Sequence, residues 1–350
     1  MRQEYSNLDL LRSFAVLSVV VCHVANFFTV NPRLQSLGVF GVTLFFVHTA
    51  MVLMQSLGRQ QQDDLCVPFF IRRFFRIYPV ATLVTCLAVL LHVPQGVTKI
   101  GHILPIRYDI GTVLYNLTLT QRFFTIVPSI VRPEWSLSYE VEMYMVLPVL
   151  YILIKDRRSV RVPIVYLGLL AISFLLCLYY PYETRLSFLS IFSFVPCFAA
   201  GMVAYHLQKE STRKFSAIYW LAVLVLLCTA VICNVFSALG GFQWWAVAAI
   251  VGFSVPYFEQ FTCPLVVQVC KLISKYSYGI YLSHYFCIWV AFEKMSPYPL
   301  VARVAVFCLM LVTLPALLYH TIEQPFIEYG KRIVATRITK TLPLDGRCIA

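Results

Sequence analysis

The chain has 350 residues, of which 60% are hydrophobic and only 13% are charged. Soluble globular domains carry roughly 25% charged residues, so this composition, with a mean hydropathy of +0.77, excludes a soluble domain and predicts a polytopic membrane protein. The net charge of +12 is compatible with nucleic-acid binding, but in a membrane protein it more often reflects basic cytoplasmic loops.

Apolar runs of about 20 residues are long enough to cross the ~30 Å hydrocarbon core of a bilayer. We therefore predict an all-α integral membrane protein, a bundle of about ten transmembrane helices. The first run is too long, and too polar on one side, for a cleaved signal peptide. The ten runs lie at 10–30, 37–57, 77–95, 135–154, 162–180, 187–207, 216–236, 243–259, 276–295 and 299–319.

The distribution of basic residues predicts the orientation of these spans. With the N-terminus in the cytoplasm, 20 of the 28 Lys and Arg residues fall in inner segments and 8 in outer ones. The positive-inside rule therefore places both termini in the cytoplasm. Since no separate cluster of basic residues remains, we expect no nucleic-acid partner.

One loop and one tail complete the predicted organisation. Within the longest loop, 96–134, segment 111–130 is moderately apolar but interrupted by polar residues and Pro128. We predict an outer-face loop with a short membrane-associated helix; a crossing there would change both the number of spans and the sidedness of everything after it. We assign 1–335 to a single transmembrane domain and 336–350 to a short basic cytoplasmic tail, and we expect no attached soluble domain.

A polar stripe follows the first span. Asp9, Arg12, His23 and Asn26 fall within about a third of the helix circumference. Because an ionisable group costs at least ~2.5 kcal/mol at the bilayer centre, His23 is a candidate functional residue. Alternatively, His23 and Asn26 join helices by hydrogen bonds, and Asp9 and Arg12 neutralise each other at i, i+3.

A basic cluster opens the third span at 72–79, Arg-Arg-Phe-Phe-Arg-Ile-Tyr-Pro. Arg73 and Arg76 share one face of the predicted helix, and guanidinium groups match the geometry of phosphate oxygens. The alternative is that these are ordinary arginines that snorkel to the cytoplasmic surface.

The fourth span opens with acidic and aromatic residues at 134–144. We expect Glu134 to cap the helix and Trp135 to lie in the interfacial aromatic belt. Ser136, Glu140 and Tyr144 share one face. Glu142 points away from that face, so one site is not expected to use both carboxylates.

The first and fourth spans run antiparallel, which predicts that Glu140 and His23 meet at one depth. A carboxylate that orients an imidazole suits a general base, because it fixes the tautomer and stabilises the cation. In the ninth span, Ser277, Tyr281 and His284 lie on one side. They form either a second polar wall of the cavity or hydrogen bonds between helices. The histidines lie on separate spans and the twelve cysteines form no Cys-x-x-Cys pair, so we predict no metal site.

With these clusters, the chain resembles the acyltransferase family 3 of integral membrane proteins. Segment 8–15 with His23 is similar to the family's Leu-Asp-Gly-Leu-Arg-Ala-x-Ala…His, with Leu10 in place of Gly. The start of the family's Phe-Phe-Val-Leu-Ser-Gly-Phe block matches 45–47, but His-Thr-Ala follows at 48–50. The remaining matches are 73–79 to Arg-x-x-Arg-Ile-x-Pro, 135–140 to Trp-Ser-Leu-Ser-x-Glu, 277–284 to Ser-Tyr-x-x-Tyr-Leu-x-His, and 323–326 to Glu-x-Pro-Phe.

The resemblance implies an O-acyltransferase that moves an acetyl or other acyl group from acyl-CoA to a hydroxyl of a carbohydrate, glycolipid or other acceptor. It further implies that Arg73 and Arg76 hold the donor. His23, oriented by Glu140, then acts either as general base or as an acyl relay. No bound cofactor is expected, and the family points to the bacterial inner membrane. The expected supporting polar cavity comprises Asp9, Arg12, Ser136, Tyr144, Ser277, Tyr281 and His284.

Two other functions stay open at this point. One is a proton-coupled transporter or flippase of a polar or anionic solute, in which His23, Glu140 and His284 form a proton relay. The other is an inactive relative that serves as a partner in an envelope assembly. Binding of CoA separates the enzyme from the transporter.

Overall fold

The computed structural model describes residues 5–29, 31–59, 65–94, 109–123, 127–155, 160–180, 187–212 and 214–341. Over these ranges the regular secondary structure is helical, and extended pairing is confined to a bridge between Phe215 and Phe258. The α-helices are α1 (Ser6–Phe28), α2 (Pro32–Gly58), α3 (Cys66–Leu90), α4 (Ile110–Leu117), α5 (Trp135–Ile154), α6 (Arg161–Tyr179), α7 (Val195–Glu210), α8 (Ala217–Ile232), α9 (Gln243–Ser254), α10 (Pro264–Ile288), α11 (Leu300–Leu318) and α12 (Gln324–Thr341).

Several of these helices can cross a membrane, which confirms an all-α multi-pass protein. By length and apolar composition, seven described helical segments qualify, and Ala217–Ile232 is apolar but shorter. Both the count of about ten spans and the cytoplasmic location of the termini stay predictions. The seven segments are Ser6–Phe28, Pro32–Gly58, Cys66–Leu90, Arg132–Ile154, Arg161–Tyr179, Ser237–Tyr257 and Leu300–Arg337.

Three predicted segments differ from the structure at their boundaries. The predicted span 187–207 is a 3₁₀ helix, Ser187–Ser193, followed by α7. Pro196, in the first turn of α7, lacks the N–H that would continue the preceding helix. α10 begins at Pro264, well before the predicted start at 276. Residues 336–341 of the predicted tail continue α12, and 342–350 lie outside the described residues.

α2 lies at the centre of the bundle. Of its most apolar window 72% is buried, against 11% for the segment that contains α11, so α11 is peripheral. α1 packs tightly against α2, since a Cβ added at Gly41 would lie 2.5 Å from the carbonyl oxygen of Ala15. Small residues of this kind permit the close backbone approach that helix association in lipid requires.

α1 and α10 run parallel. Near the start of α1, the Ser13 hydroxyl donates to the carbonyl of Cys270. Arg12, beside Ser13, meets Ser277, and further along both helices His23 meets His284. We call the end of the bundle near Arg12 the arginine end and the end near His23 the histidine end.

The chain enters α5 from inside the protein. α4 has 8 residues, too short to cross a bilayer, which agrees with the short helix predicted within 111–130. After α4, Ser129, Ile130 and Val131 are buried, and Asn116 holds this stretch because its Oδ1 accepts from the backbone N–H of Ile130 at 2.8 Å. α5 therefore begins below the surface of the bundle.

α11 and α12 join through a π-helical turn, Tyr319–Glu323. Pro325 follows the turn and lacks the N–H that would bond the carbonyl four residues earlier. Turns of this type occur frequently at functional sites. Here the turn directs Glu323, which is 1% exposed, toward Arg76 of α3.

Candidate active site

A cavity of about 220 Å³ lies near the arginine end, between α1, α2, α3, α5 and α10. It brings together residues of all four polar clusters, and eight of the eleven predicted site residues line it. Its polar lining consists of Arg12, His48, Thr49, Arg73, Arg76, Ser136, Glu140, Tyr144, Ser277, Tyr278 and Tyr281. We call it the arginine cavity.

The three arginines of this cavity are held differently. Nε of Arg12 donates to Oγ of Ser277 at 2.5 Å. Arg76, with 30% of its side chain exposed, lies 3.8 Å from the buried Glu323. Nε of Arg73 is buried and has no hydrogen-bond partner among the described residues. An unpaired buried donor costs about 1–3 kcal/mol, which a bound anion would recover.

Glu140 is the one carboxylate among the residues that line the arginine cavity. Its Oε1 accepts from the hydroxyls of Tyr144, one turn further along α5, and of Thr49 on α2. Ser136, Glu140 and Tyr144 all line this cavity, which confirms their predicted shared face. Glu142 lies outside the lining, as the helical geometry predicted.

Asp9, by contrast, does not line the arginine cavity. It lies in the first turn of α1, where its charge acts on Cys270, and Arg12 turns to Ser277. Asp9 is three residues nearer the helix end than Arg12, about 4.5 Å along the axis. The polar stripe is thus divided between separate environments.

His23 pairs with His284. Nδ1 of His23 lies 2.7 Å from Nε2 of His284, and the two rings stack with centroids 5.0 Å apart. Nδ1 of His284 lies 3.1 Å from the carbonyl oxygen of Ile280. Since a carbonyl only accepts, Nδ1 of His284 carries the hydrogen, and Nε2 of a neutral His284 is an acceptor.

This chain of hydrogen bonds fixes the tautomer of His23. Its Nδ1–H donates to His284, so its Nε2 keeps a lone pair. Nε2 has no hydrogen-bond partner in the described part of the chain, and the side chain is partly exposed. An imidazole in this state can accept a proton or attack a carbonyl carbon.

The prediction that Glu140 orients His23 differs from the structure, where His284 holds that position. Ser136 contacts Tyr281 at 2.6 Å, which sets α5 and α10 in register. From there, Glu140 lies four residues toward the arginine end and His284 three toward the histidine end, an offset of about 10 Å. The prediction placed the start of α5 at the membrane surface, whereas the helix begins inside the bundle.

Comparison with known proteins decides the family. An acyltransferase domain (Acyl_transf_3) matches residues 5–320. The chain belongs to the acyltransferase 3 family. O-acetyltransferase OatA of Staphylococcus aureus is 24% identical over 92% of this chain and 56% of its own length. The putative peptidoglycan O-acetyltransferase YrhL of Bacillus subtilis is 27% identical over 95% of the chain and 56% of its own length.

The acyltransferase MdmB of Streptomyces mycarofaciens is 29% identical over 41% of this chain and 38% of its own length. The chain thus spans about half the length of the curated relatives OatA and YrhL. No solved structure matches it significantly. The resemblance read from the sequence motifs is confirmed.

The structure adds polar residues that the sequence prediction missed in this acyltransferase 3 chain. Glu134 does not cap α5 with its side chain. Its carboxyl is fully buried and accepts from the Thr85 hydroxyl at 2.9 Å. The buried side chain of Gln121 donates to the Glu134 backbone carbonyl at 3.3 Å. These contacts fix the chain where it turns into α5.

Glu323 and His48 were noted in the motif comparison but were not among the predicted site residues. Glu323 lies in the segment that resembles Glu-x-Pro-Phe and faces Arg76. His48 replaces the usual Leu of the family's second block, and it lines the arginine cavity.

A second cavity of about 680 Å³ lies at the histidine end, beside the start of α5. Trp135 lies in its wall, and its predicted place in an interfacial belt stays a prediction. Arg122 lies 5.8 Å from the centre of the Tyr139 ring. We call this the aromatic cavity; its lining includes Arg122, Arg132, Trp135, Tyr139, Phe194, Phe242, Trp244 and Trp245.

Proposed function

We propose that the protein is a membrane O-acyltransferase that transfers an acetyl or other acyl group from acyl-CoA to a hydroxyl of a carbohydrate or glycolipid. This proposal is supported by one arrangement of side chains. Three guanidinium groups line a cavity at one end of the bundle, and an imidazole whose Nε2 has no hydrogen-bond partner among the described residues lies toward the other end. The names of the relatives OatA and YrhL, both O-acetyltransferases, agree with it.

The arginine cavity suits the donor. Arg73 has an unpaired buried Nε and Arg76 is partly exposed, so both can pair with the phosphates of CoA. The cavity volume of about 220 Å³ is below the ~300–1,000 Å³ typical of drug-sized ligands. It therefore fits the narrow acyl-pantetheine arm beyond phosphates held at the arginines, while the adenine and ribose of CoA stay at the cytoplasmic mouth.

His23 supplies the chemistry. Its Nε2 removes the proton of the acceptor hydroxyl as the oxygen attacks the thioester carbonyl carbon. The C–S bond then breaks, CoA leaves as the thiolate, and the imidazolium returns the proton to that sulfur. His284 keeps the Nδ1–H of His23 occupied throughout, so Nε2 is the reacting nitrogen. In the alternative relay, the same Nε2 accepts the acyl group before the hydroxyl does.

Acetyl-CoA binding and turnover by the purified protein in nanodiscs test this function. We expect wild type to bind acetyl-CoA, Arg73→Ala/Arg76→Ala to bind it at least tenfold more weakly, and His23→Ala to bind it normally without transfer or hydrolysis. The exposed Arg33→Gln is a matched control on another helix. A folded wild type that does not bind acetyl-CoA would exclude the proposal and favour a transporter.

A further inference from the structure

We propose that the aromatic cavity is the acceptor site, and that it binds a sugar unit bearing an anionic group, either a carboxylate or a phosphate. This inference rests on the proposed O-acyl transfer and specifies its acceptor. It depends on the shape, charge and position of the cavity at the histidine end, each of which is an independent observation.

Aromatic side chains give the cavity the properties of a sugar site. The Trp135 and Tyr139 rings pack around Phe194 with centroid distances of 5.8 and 5.1 Å. Aromatic faces carry negative partial charge and attract the positive C–H groups of a sugar ring. The volume of about 680 Å³ lies within the ~300–1,000 Å³ range of small-molecule sites, so it suits a sugar unit rather than a single ion.

The indole N–H groups of the three tryptophans in the cavity wall differ in whether they already donate a hydrogen bond within the protein. Nε1 of Trp245 donates to the carbonyl of Ser193 at 2.7 Å. Those of Trp135 and Trp244 have no acceptor among the described residues, although both side chains are half-buried. Trp N–H groups lie at the boundary between apolar and polar surroundings and donate hydrogen bonds there, so these two donors are available to a ligand with hydroxyl or carboxylate oxygens.

Charge selects an anionic sugar. Arg122 and Arg132 both line the cavity, and none of the described lining residues is acidic. The Arg122 guanidinium lies in the cavity wall, 5.8 Å from the centre of the Tyr139 ring. The buried Glu142 lies within electrostatic range of Arg122 but outside the lining, so the cavity itself stays positive. Guanidinium groups bind carboxylate and phosphate bidentately.

The start of α5 connects the cavity to the reacting histidine. Arg132 lines the aromatic cavity, and the hydroxyl of Ser136, one turn further along the chain, contacts that of Tyr281 at 2.6 Å. The Tyr281 ring lies 6.1 Å from the ring of His284, which pairs with His23. An acceptor held on Arg132 therefore lies at the same end of the bundle as the partly exposed His23.

Binding of three soluble probes to the full-length protein in nanodiscs tests the site. The probes are a disaccharide that contains a hexuronic acid, the same disaccharide with its carboxylate reduced to an alcohol, and a hexose 1-phosphate. We expect the acid to bind at least tenfold more tightly than the alcohol. If the phosphate binds more tightly than the acid, the anion is a phosphate; the reverse order assigns a carboxylate.

Variants localise the binding. Arg132→Gln and Arg122→Gln should each weaken binding of the preferred anionic probe about tenfold or more, since one charge-assisted pair is lost. Trp244→Phe keeps a ring and removes the N–H, so we expect a few-fold loss for all three probes. Arg33→Gln is the control and should change nothing.

Acetyl-CoA binding, measured on the same samples, separates this inference from the proposed function. Normal CoA binding with probe affinities that the Arg122 and Arg132 substitutions leave unchanged would overturn the acceptor site alone. Equal affinities for the acid and the alcohol would overturn the anionic specificity. Absence of CoA binding in the wild type would overturn the proposed function and with it the role of the cavity as an acceptor site.

Discussion

His23 and His284 form a directional pair, because the Ile280 carbonyl determines which nitrogen of His284 is protonated. His284→Ala removes the acceptor for Nδ1–H of His23 and lets the ring adopt the other tautomer. We expect acyl transfer to fall on the order of 10²-fold, the lower end of what a general base contributes. The donor KM should stay unchanged, since His284 lies outside the arginine cavity.

His284→Gln distinguishes positioning from simple packing. Its side-chain oxygen can accept from Nδ1–H of His23, so part of the activity should return relative to His284→Ala. Steady-state kcat and KM for acetyl-CoA check both variants. Equal, severe losses in kcat for Ala and Gln would argue that His284 has a chemical role of its own.

Glu140 lines the arginine cavity in this structure and does not hold His23, whose partner is His284. Glu140→Ala leaves the buried Tyr144 hydroxyl without its acceptor, which costs about 1–3 kcal/mol. It also removes the negative charge that faces Arg12, Arg73 and Arg76. We expect a lower thermal unfolding temperature in detergent.

The matched variant Glu140→Gln should be milder, because an amide oxygen still accepts from Tyr144. Met145→Ala, an exposed position on the same helix, controls for effects of α5 itself. If Glu140→Ala unfolds at the wild-type temperature, the hydrogen bonds of Glu140 contribute nothing to stability.

The sequence alone shows which residues share one face of a helix. It does not show which faces of different helices contact each other. Helical spacing placed Ser277, Tyr281 and His284 on one side of α10, and they contact Arg12, Ser136 and His23 respectively. The partner of His23 depends on the axial offset between α5 and α10. That offset comes from the buried stretch before α5, whose conformation depends on tertiary contacts such as those of Asn116.

At the scale of elements, the π turn between α11 and α12 positions Glu323 against Arg76. Pro325→Ala restores a backbone N–H and permits a regular α-helix through the turn. Loss of the π turn would rotate the preceding residues by about 100° relative to α12, which takes Glu323 away from Arg76. We expect acetyl-CoA affinity to fall by up to about tenfold.

Pro148→Ala is the matched control, since Pro148 lies inside another helix, α5, and is not part of the π turn. Isothermal titration with acetyl-CoA compares the two variants. A Pro325→Ala protein with wild-type donor affinity would show that the π turn does not serve the arginine cavity.

The presence of the helices was predictable from the sequence, because a long apolar run that crosses a bilayer has to form a helix or part of a closed barrel. The residues at which the helices begin and end were less predictable. Gln324–Thr341 is polar on average, and the sequence prediction ended its last span at 319, yet the helix continues across the π turn. The predicted span 187–207 divides at Phe194 for a local reason, the proline that follows in the first turn of α7.

At the scale of the whole molecule, the proposed function assigns the two substrates to cavities at opposite ends of the bundle. Arg12 and His23 are eleven residues apart on α1, about 16 Å along the axis, or about half of a ~30 Å hydrocarbon core. Neither substrate therefore has to pass through the cavity of the other, the arginine cavity for the donor and the aromatic cavity for the acceptor. Each substrate can reach the region of His23 from its own side.

Sealed membrane vesicles test this division. Acetyl-CoA is polyanionic and does not cross a bilayer, so external donor reaches only one face. If the arginine end is cytoplasmic, as the basic residues predict, inside-out vesicles should transfer radiolabelled acetyl groups from external acetyl-CoA to enclosed sugars. Right-side-out vesicles should do so at least tenfold more slowly, and detergent permeabilisation should equalise the two. Faster transfer by sealed right-side-out vesicles would place the arginine cavity at the opposite face and reverse the predicted orientation of every span.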